Sequence, residues 1–131
     1  MIHDKDYMMR QVRQLSELLS QLFLGKNEGL STEETAEHLD SQLRSIFKKD
    51  WPQISLLKTE EILDLINEKE AKDQADYFQL LGNLFYLKAN EAQKPEFYAA
   101  AKTFYENYLQ KSGIYSLEIV GRLAEISKKI K

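Results

Sequence analysis

The chain has no cysteine, no long apolar run and no recognisable secretion signal, and each of these absences excludes a class of site or protein. Without Cys, its 131 residues can form no disulfide, no zinc–thiolate site and no thiol nucleophile. No apolar run approaches the roughly 18 residues that cross a bilayer, so we expect no membrane partner. The N-terminal sequence MIHDKDYMMRQ lacks the basic-then-apolar order of a secretion signal. These absences favour a cytoplasmic protein.

An excess of positive charge is also missing. The formal net charge is −3, with 18 basic and 21 acidic residues, whereas nucleic-acid binders usually concentrate basic residues on one face. The short basic clusters at Lys48–Lys49 and Lys128–Lys129 lie where helices are expected to end, and cations there complement the helix dipole. The sequence predicts no nucleic-acid partner.

Groups that carry chemistry are few. The two histidines, His3 and His38, lie in neither a His-Glu-x-x-His nor a Glu-x-x-His pattern. The five glycines are isolated, so no glycine-rich phosphate loop exists, and no serine has a nucleophile-elbow context. We therefore expect no catalytic residue, no metal and no cofactor.

One acidic stretch supports an alternative. Glu34 and His38 are four residues apart and share a helical face with Glu37 close by. This arrangement supplies too few ligands for a standard metal centre, and a capping Glu beside a solvated His is the stronger interpretation of it. A small enzyme or metal-binding protein that uses Glu34, Glu37 and His38 is the alternative to a non-catalytic function.

Helical periodicity dominates what is present. Apolar residues recur every three or four positions, and the two prolines and five glycines mark boundaries. We expect one all-α domain over 1–131, a compact bundle of about six helices. Residues 1–58 form an N-terminal helical pair plus an irregular connector, and 59–131 form the remaining helices. The expected helices are 4–24, 31–49, 59–66, 73–90, 95–111 and 116–131.

Gly82 lies inside the apolar stretch YFQLLGNLFYLK, residues 77–88. Apolar side chains surround this helix, so it is buried on more than one side. A missing side chain there lets a neighbouring backbone or a bulky ring approach, and the small residues Ala99–Ala101 begin the next helix. We predict a close antiparallel hairpin between the fourth and fifth helices.

The same two helices resemble a tetratricopeptide repeat (TPR). The segment Phe78-x-x-Leu81-Gly82-Asn83-x-Phe85 is similar to the W-x-x-L-G-x-x-Y of its first helix. Tyr98-x-x-Ala101-x-x-x-Tyr105 is similar to its second helix, which makes 73–111 a degenerate repeat hairpin. The 19 residues from Gly82 to Ala101 are about seven more than the repeat usually has. The resemblance implies TPR-like antiparallel helical hairpins.

The whole chain also resembles a family of uncharacterised bacterial proteins that is described as TPR-like and catalogued as a domain of unknown function. The similar segments are DYMMRQVRQLSELLSQLF, LLKTEEILDLI and YAAAKTFYENYLQKS. This resemblance implies a low-GC Gram-positive bacterial origin and a helical-repeat fold. It implies no particular activity.

A partner site follows from the repeat analogy. The first helix of each TPR hairpin lines a ligand-facing groove, which would place Gln79, Asn83 and Tyr86 in that groove. The simpler interpretation is that Asn83 hydrogen-bonds a neighbouring helix or solvent. On the first interpretation the protein is a non-catalytic interaction or scaffold module that docks a peptide or a partner helix.

A second copy of the chain is the other candidate partner. The last helix carries one apolar stripe at Ile119, Leu123, Ile126 and Ile130, and another that includes Leu117, Val120 and Ala124. One stripe has to cover the preceding hairpin, while the other packs on the first helix or forms a homodimer contact. We take the Ile119–Ile130 stripe as the candidate self-association surface.

Overall fold

The structure, a computed structural model, describes residues 3–23 and 32–130, with side chains at 6–22 and 35–130. These residues form seven α-helices and no strand. The prediction of an all-α fold is confirmed. The helices are α1 (His3–Phe23), α2 (Thr32–Phe47), α3 (Trp51–Ser55), α4 (Thr59–Asn67), α5 (Ala71–Ala92), α6 (Pro95–Ser112) and α7 (Leu117–Lys129).

The helix that the sequence did not predict is α3. Pro52, one of the two prolines expected to mark a boundary, lies in the first turn of α3, where a missing N–H costs nothing. Asp50 caps this helix, since its carboxylate accepts from the Gln53 backbone N–H at 3.2 Å. The Gln53 side chain accepts in return from the Asp50 N–H at 3.0 Å, which completes a capping box.

The chain divides into two compact units, Met1–Leu65 and Ile66–Lys131. The boundary falls within α4, whereas the sequence placed the internal division at 58/59. The expectation of one domain over 1–131 stays a prediction, and each unit is described by itself below.

In the first unit, α1 and α2 run antiparallel. The buried Gln11 side chain donates from Nε2 to Gln42 Oε1 at 3.2 Å and accepts from the Ser45 hydroxyl at 3.1 Å. Apolar residues at helical spacing on both helices form the core, because each presents one apolar face. These residues include Val12, Leu15, Leu19, Leu39, Leu43 and Ile46.

In the second unit, α5 and α6 form a hairpin. Gln93 ends α5 in the left-handed conformation, and Pro95 begins α6 two residues later, so the chain reverses within a short loop. The rings of Phe78 and Phe85 pack on Phe104 with centroids 6.5 and 5.3 Å apart. Aromatic packing therefore joins the two helices.

The helix α7 follows a left-handed turn at Gly113, and the Ser116 hydroxyl caps it by accepting from the Ile119 N–H at 3.3 Å. Both boundaries agree with the sequence prediction. Among the helices that the structure describes, none combines the length and apolar character that a bilayer span requires.

Candidate docking site on α5, α6 and α7

Gly82 makes room for the ring of Tyr105. A Cβ atom added at position 82 would lie 2.5 Å from Tyr105 Cδ1 and 2.6 Å from Cε1, well inside van der Waals contact. The expected close approach of the two helices is confirmed. The group that fills the space is an aromatic ring, not the backbone beside Ala99–Ala101.

The Tyr105 ring is fixed at its far end by a buried hydrogen-bond network. Its hydroxyl donates to Asn83 Oδ1 at 2.6 Å. Arg122 of α7 donates from Nη1 to the same Asn83 oxygen at 3.0 Å and to the Tyr105 hydroxyl oxygen at 3.3 Å. Three helices therefore meet at one amide oxygen.

This network determines the position of Asn83. The residue is 0% exposed, and its oxygen accepts from α6 and α7. Asn83 does not line an open groove in this structure, contrary to the repeat analogy. Its environment corresponds to the simpler interpretation, an amide that hydrogen-bonds neighbouring helices.

A second tyrosine–asparagine pair lies seven residues along each helix. The Tyr98 hydroxyl donates to Asn90 Oδ1 at 2.7 Å, which repeats the Tyr105–Asn83 bond two helical turns away. Asn90, unlike Asn83, is exposed. The same tyrosine–asparagine bond therefore occurs twice along the antiparallel pair α5 and α6, once with a buried asparagine and once with an exposed one.

Tyr86 lies between the two pairs. Its ring centroid is 6.4 Å from that of Tyr98 and 6.2 Å from that of Tyr105. The Arg122 guanidinium carbon lies 5.9 Å from both the Tyr86 and Tyr105 ring centroids, which is cation–π geometry. Tyr86 and Arg122 are partly exposed. A ring and a cation are therefore accessible here, and their contacts with the buried residues below them hold both in place.

Gln79 is also partly exposed. It lies one turn before Asn83 on α5, and Tyr86 lies about one turn after it, so the three residues share a face. The structure therefore places all three predicted site residues on one side of α5 and leaves two of them accessible. We call Gln79, Tyr86, Asn90 and Arg122 the α5/α7 surface.

Tyr105 is unsuited to acid–base chemistry. Burial raises the pKa of its hydroxyl far above the usual value, and the nearby Arg122 guanidinium lowers it only in part. The hydroxyl stays protonated at neutral pH and acts as a hydrogen-bond donor.

The predicted self-association stripe faces largely inward. Ile119 and Ile126 are 1% and 0% exposed, while Leu123 and Ile130 are partly exposed. Core packing therefore uses this stripe, and Ile119 and Ile126 are not available to a second copy of the chain. Leu117, on the other stripe, is 76% exposed.

The alternative site at Glu34, Glu37 and His38 has no cluster of metal ligands among the described residues. Glu37 and His38 are exposed on α2, and the side chain of Glu34 lies outside the described residues. Within the part of the chain whose residues are described, no three His, Cys, Asp or Glu residues come together as they would around a metal ion.

Arg122 was missed by sequence reasoning. It lies 39 residues from Asn83 and belongs to no motif, so only the packing of α7 on the hairpin brings the two side chains together. The available signal was a single arginine on a helix whose neighbouring positions are apolar.

No family model, curated protein or solved structure matches the chain.

Proposed function

We propose that the protein is a non-catalytic interaction module that docks a peptide or a partner helix on the α5/α7 surface. The observation that carries this proposal is the partly exposed Tyr86–Arg122 pair, in which the guanidinium carbon lies 5.9 Å from the ring centroid. The buried Asn83–Tyr105 hydrogen bond supports this pair from the interior side. Tyrosine and arginine are enriched among the residues that contribute most to protein interfaces.

Pre-organisation supports the same proposal. Ordering a mobile side chain at an interface costs about 0.5–1.5 kcal/mol, and the contacts of Tyr86 with Tyr98, Tyr105 and Arg122 hold its ring before any partner arrives. The neighbouring amides of Gln79 and Asn90 can bond to a partner's backbone. A peptide that offers carbonyl or carboxylate oxygens suits this surface, because Arg122 supplies the positive charge.

We further propose that this module is a TPR-like hairpin protein of a low-GC Gram-positive bacterium, as the whole-chain resemblance implies, and that it acts in the cytoplasm. The Gly82–Tyr105 approach is compatible with such a hairpin, since a glycine there permits close packing of its two helices.

Site-directed photocrosslinking tests the docking proposal. A photoreactive phenylalanine analogue is introduced in separate variants at Gln79 and Tyr86, and at Gln110 as the control. Gln110 is exposed near the end of α6 and lies outside the α5/α7 surface. After irradiation in cell extract, we expect the same discrete adduct from positions 79 and 86 and none from 110. Adducts of equal yield at all three positions, or none at 79 and 86, would contradict the proposal.

A further inference from the structure

The first unit contains a cleft that the proposed function does not use. It lies between α1 and α2, has a volume of about 210 Å³, and is lined by Gln14, Leu15, Leu18, His38 and Gln42. Leu15 is buried and forms an apolar floor, whereas Gln14 and His38 are exposed at the rim. An apolar floor with a polar rim is the usual construction of a small-ligand site.

The size of the cleft limits the part of an occupant that lies inside it to a single ring. Sites for drug-sized ligands and cofactors have volumes of roughly 300–1,000 Å³, which exceeds this cleft. A buried apolar cavity of about 150 Å³ accommodates benzene. The additional volume here fits one ring with a small substituent.

The lining determines the polarity of that ring. None of the five lining residues is Lys, Arg, Asp or Glu, and His38, the one lining residue that can become charged, is exposed at the rim. No buried group of the cleft can therefore pair with a charged ligand, and burying an unpaired charge is costly. The ligand is therefore neutral.

A hydrogen-bond relay leaves one polar group of the lining able to donate. The Ser45 hydroxyl donates to Gln11 Oε1, and Gln11 Nε2 donates to Gln42 Oε1. Because its carbonyl oxygen is engaged by the buried Gln11, Gln42 has its amide NH₂ group left to donate. Among the described residues, no hydrogen bond involves the side chains of Gln14 or His38, which can supply a further donor and acceptor.

We infer that the α1–α2 cleft binds a neutral phenol-type ring, with the Gln42 amide donating to the ring's oxygen and the ring lying on Leu15 and Leu18. Such a ring is either the side chain of a partner's tyrosine or a free small phenol. This inference concerns a different unit and does not depend on the proposed docking surface.

NMR titration of the ¹⁵N-labelled full chain tests the cleft with p-cresol as the probe. We expect the side-chain amide signals of Gln14 and Gln42 to shift in a saturable manner at millimolar p-cresol. Toluene, which has the ring without the oxygen, should bind about fivefold more weakly, because one hydrogen bond is lost. N-acetyltyrosinamide distinguishes the two sources: binding at least as tight as that of p-cresol indicates a tyrosine side chain, and binding by p-cresol alone indicates a free phenol.

Two tryptophan variants provide the matched comparison. Gln14→Trp fills the rim of the cleft and should weaken p-cresol binding about tenfold or more, whereas Gln21→Trp, at an exposed position on α1 outside the lining, should leave it unchanged. Both substitutions are at exposed sites, so both proteins should fold. Equal titrations of the two variants, no saturable shift at Gln14 and Gln42, or toluene binding as tightly as p-cresol would each overturn the inference.

Discussion

The ring of Tyr105 occupies the space in which a side chain at position 82 would lie, with Tyr105 Cδ1 2.5 Å from the position of a Cβ there. The ring has little room to withdraw, because Tyr105 is 0% exposed and its hydroxyl is bonded to Asn83. A glycine on α5 and a tyrosine on α6 therefore depend on each other, and this pair sets how closely the hairpin packs.

Gly82→Ala should destabilise the protein. A Cβ 2.5 Å from a ring that is 0% exposed should cost about 2–3 kcal/mol, the upper part of the range for overpacking a core. This cost exceeds the roughly 1 kcal/mol that alanine gains over glycine in a helix. We expect a net loss of about 1–2 kcal/mol in the free energy of unfolding, measured by urea denaturation.

Gly121→Ala is the matched control for this substitution. Gly121 lies inside α7, is exposed, and has nothing within 4 Å of an added Cβ. Alanine there should stabilise the protein by about 0.5–1 kcal/mol through helix propensity alone. If both substitutions change stability in the same direction, the steric explanation for Gly82 fails.

Much of this region was predictable because it follows from local pattern. The all-apolar circumference of α5, the single glycine within it and the proline that opens α6 together predict a buried hairpin. The helix α3 was missed because Pro52 both terminates a helix and opens one, and only the Asp50–Gln53 capping box distinguishes the two roles.

The polar part of the site was less predictable. The repeat analogy identifies Asn83, but it does not predict the bond from Arg122, which belongs to α7 and lies 39 residues away. Helical periodicity says which residues share a face, and it does not say which distant helix covers that face. For the same reason, periodicity alone does not say which stripe of α7 packs on the hairpin.

Tyr105→Phe should cost more than Tyr98→Phe, although each removes one hydroxyl bonded to an asparagine. Tyr105 donates to the buried Asn83, so its loss should cost about 1–2 kcal/mol in the free energy of unfolding. Asn90 is exposed, and water can replace the Tyr98 hydroxyl, so that loss should be about 0.5 kcal/mol or less.

Urea denaturation measures the loss of unfolding free energy in each of these two variants. The same measurement on Asn83→Ala and on the double variant Asn83→Ala/Tyr105→Phe gives the coupling between the two positions. The double-mutant cycle should give a coupling energy of about 0.5–3 kcal/mol between positions 83 and 105. If the losses of unfolding free energy from Asn83→Ala and Tyr105→Phe simply add, or if Tyr98→Phe and Tyr105→Phe cost the same, the buried bond does not stabilise the protein more than the exposed one.

Alkaline pH should destabilise the protein through Tyr105. Burial raises the pKa of its hydroxyl above the value of 10.0 that it has in an unfolded chain. Below pH 10 both states keep this proton and the contribution is fully present. As the pH rises above 10, the unfolded state loses the proton first, so it binds fewer protons than the native state and stability falls.

The free energy of unfolding, measured from neutral pH to above pH 10, should therefore decline in the wild type and decline less steeply in Tyr105→Phe. Tyr77, whose pKa is also raised by burial and by the nearby Asp73 carboxylate, contributes in the same direction. Tyr115→Phe, at an exposed position, is the control and should keep the wild-type slope. An unchanged slope in Tyr105→Phe would exclude this hydroxyl as a source of the effect.

Ile126→Ala should act on folding and not on association. Ile126 is 0% exposed, so truncation leaves a cavity and should lower the free energy of unfolding by about 2–4 kcal/mol. Leu117→Ala, at a 76% exposed position on the other stripe of α7, removes no core contact and should change stability by less than about 0.5 kcal/mol. Light scattering at micromolar concentration should give the same molar mass for Ile126→Ala and the wild type, because a buried side chain cannot reach a second chain. A loss of mass in Ile126→Ala without a loss of stability would instead place Ile126 in a dimer contact and contradict its role in the core.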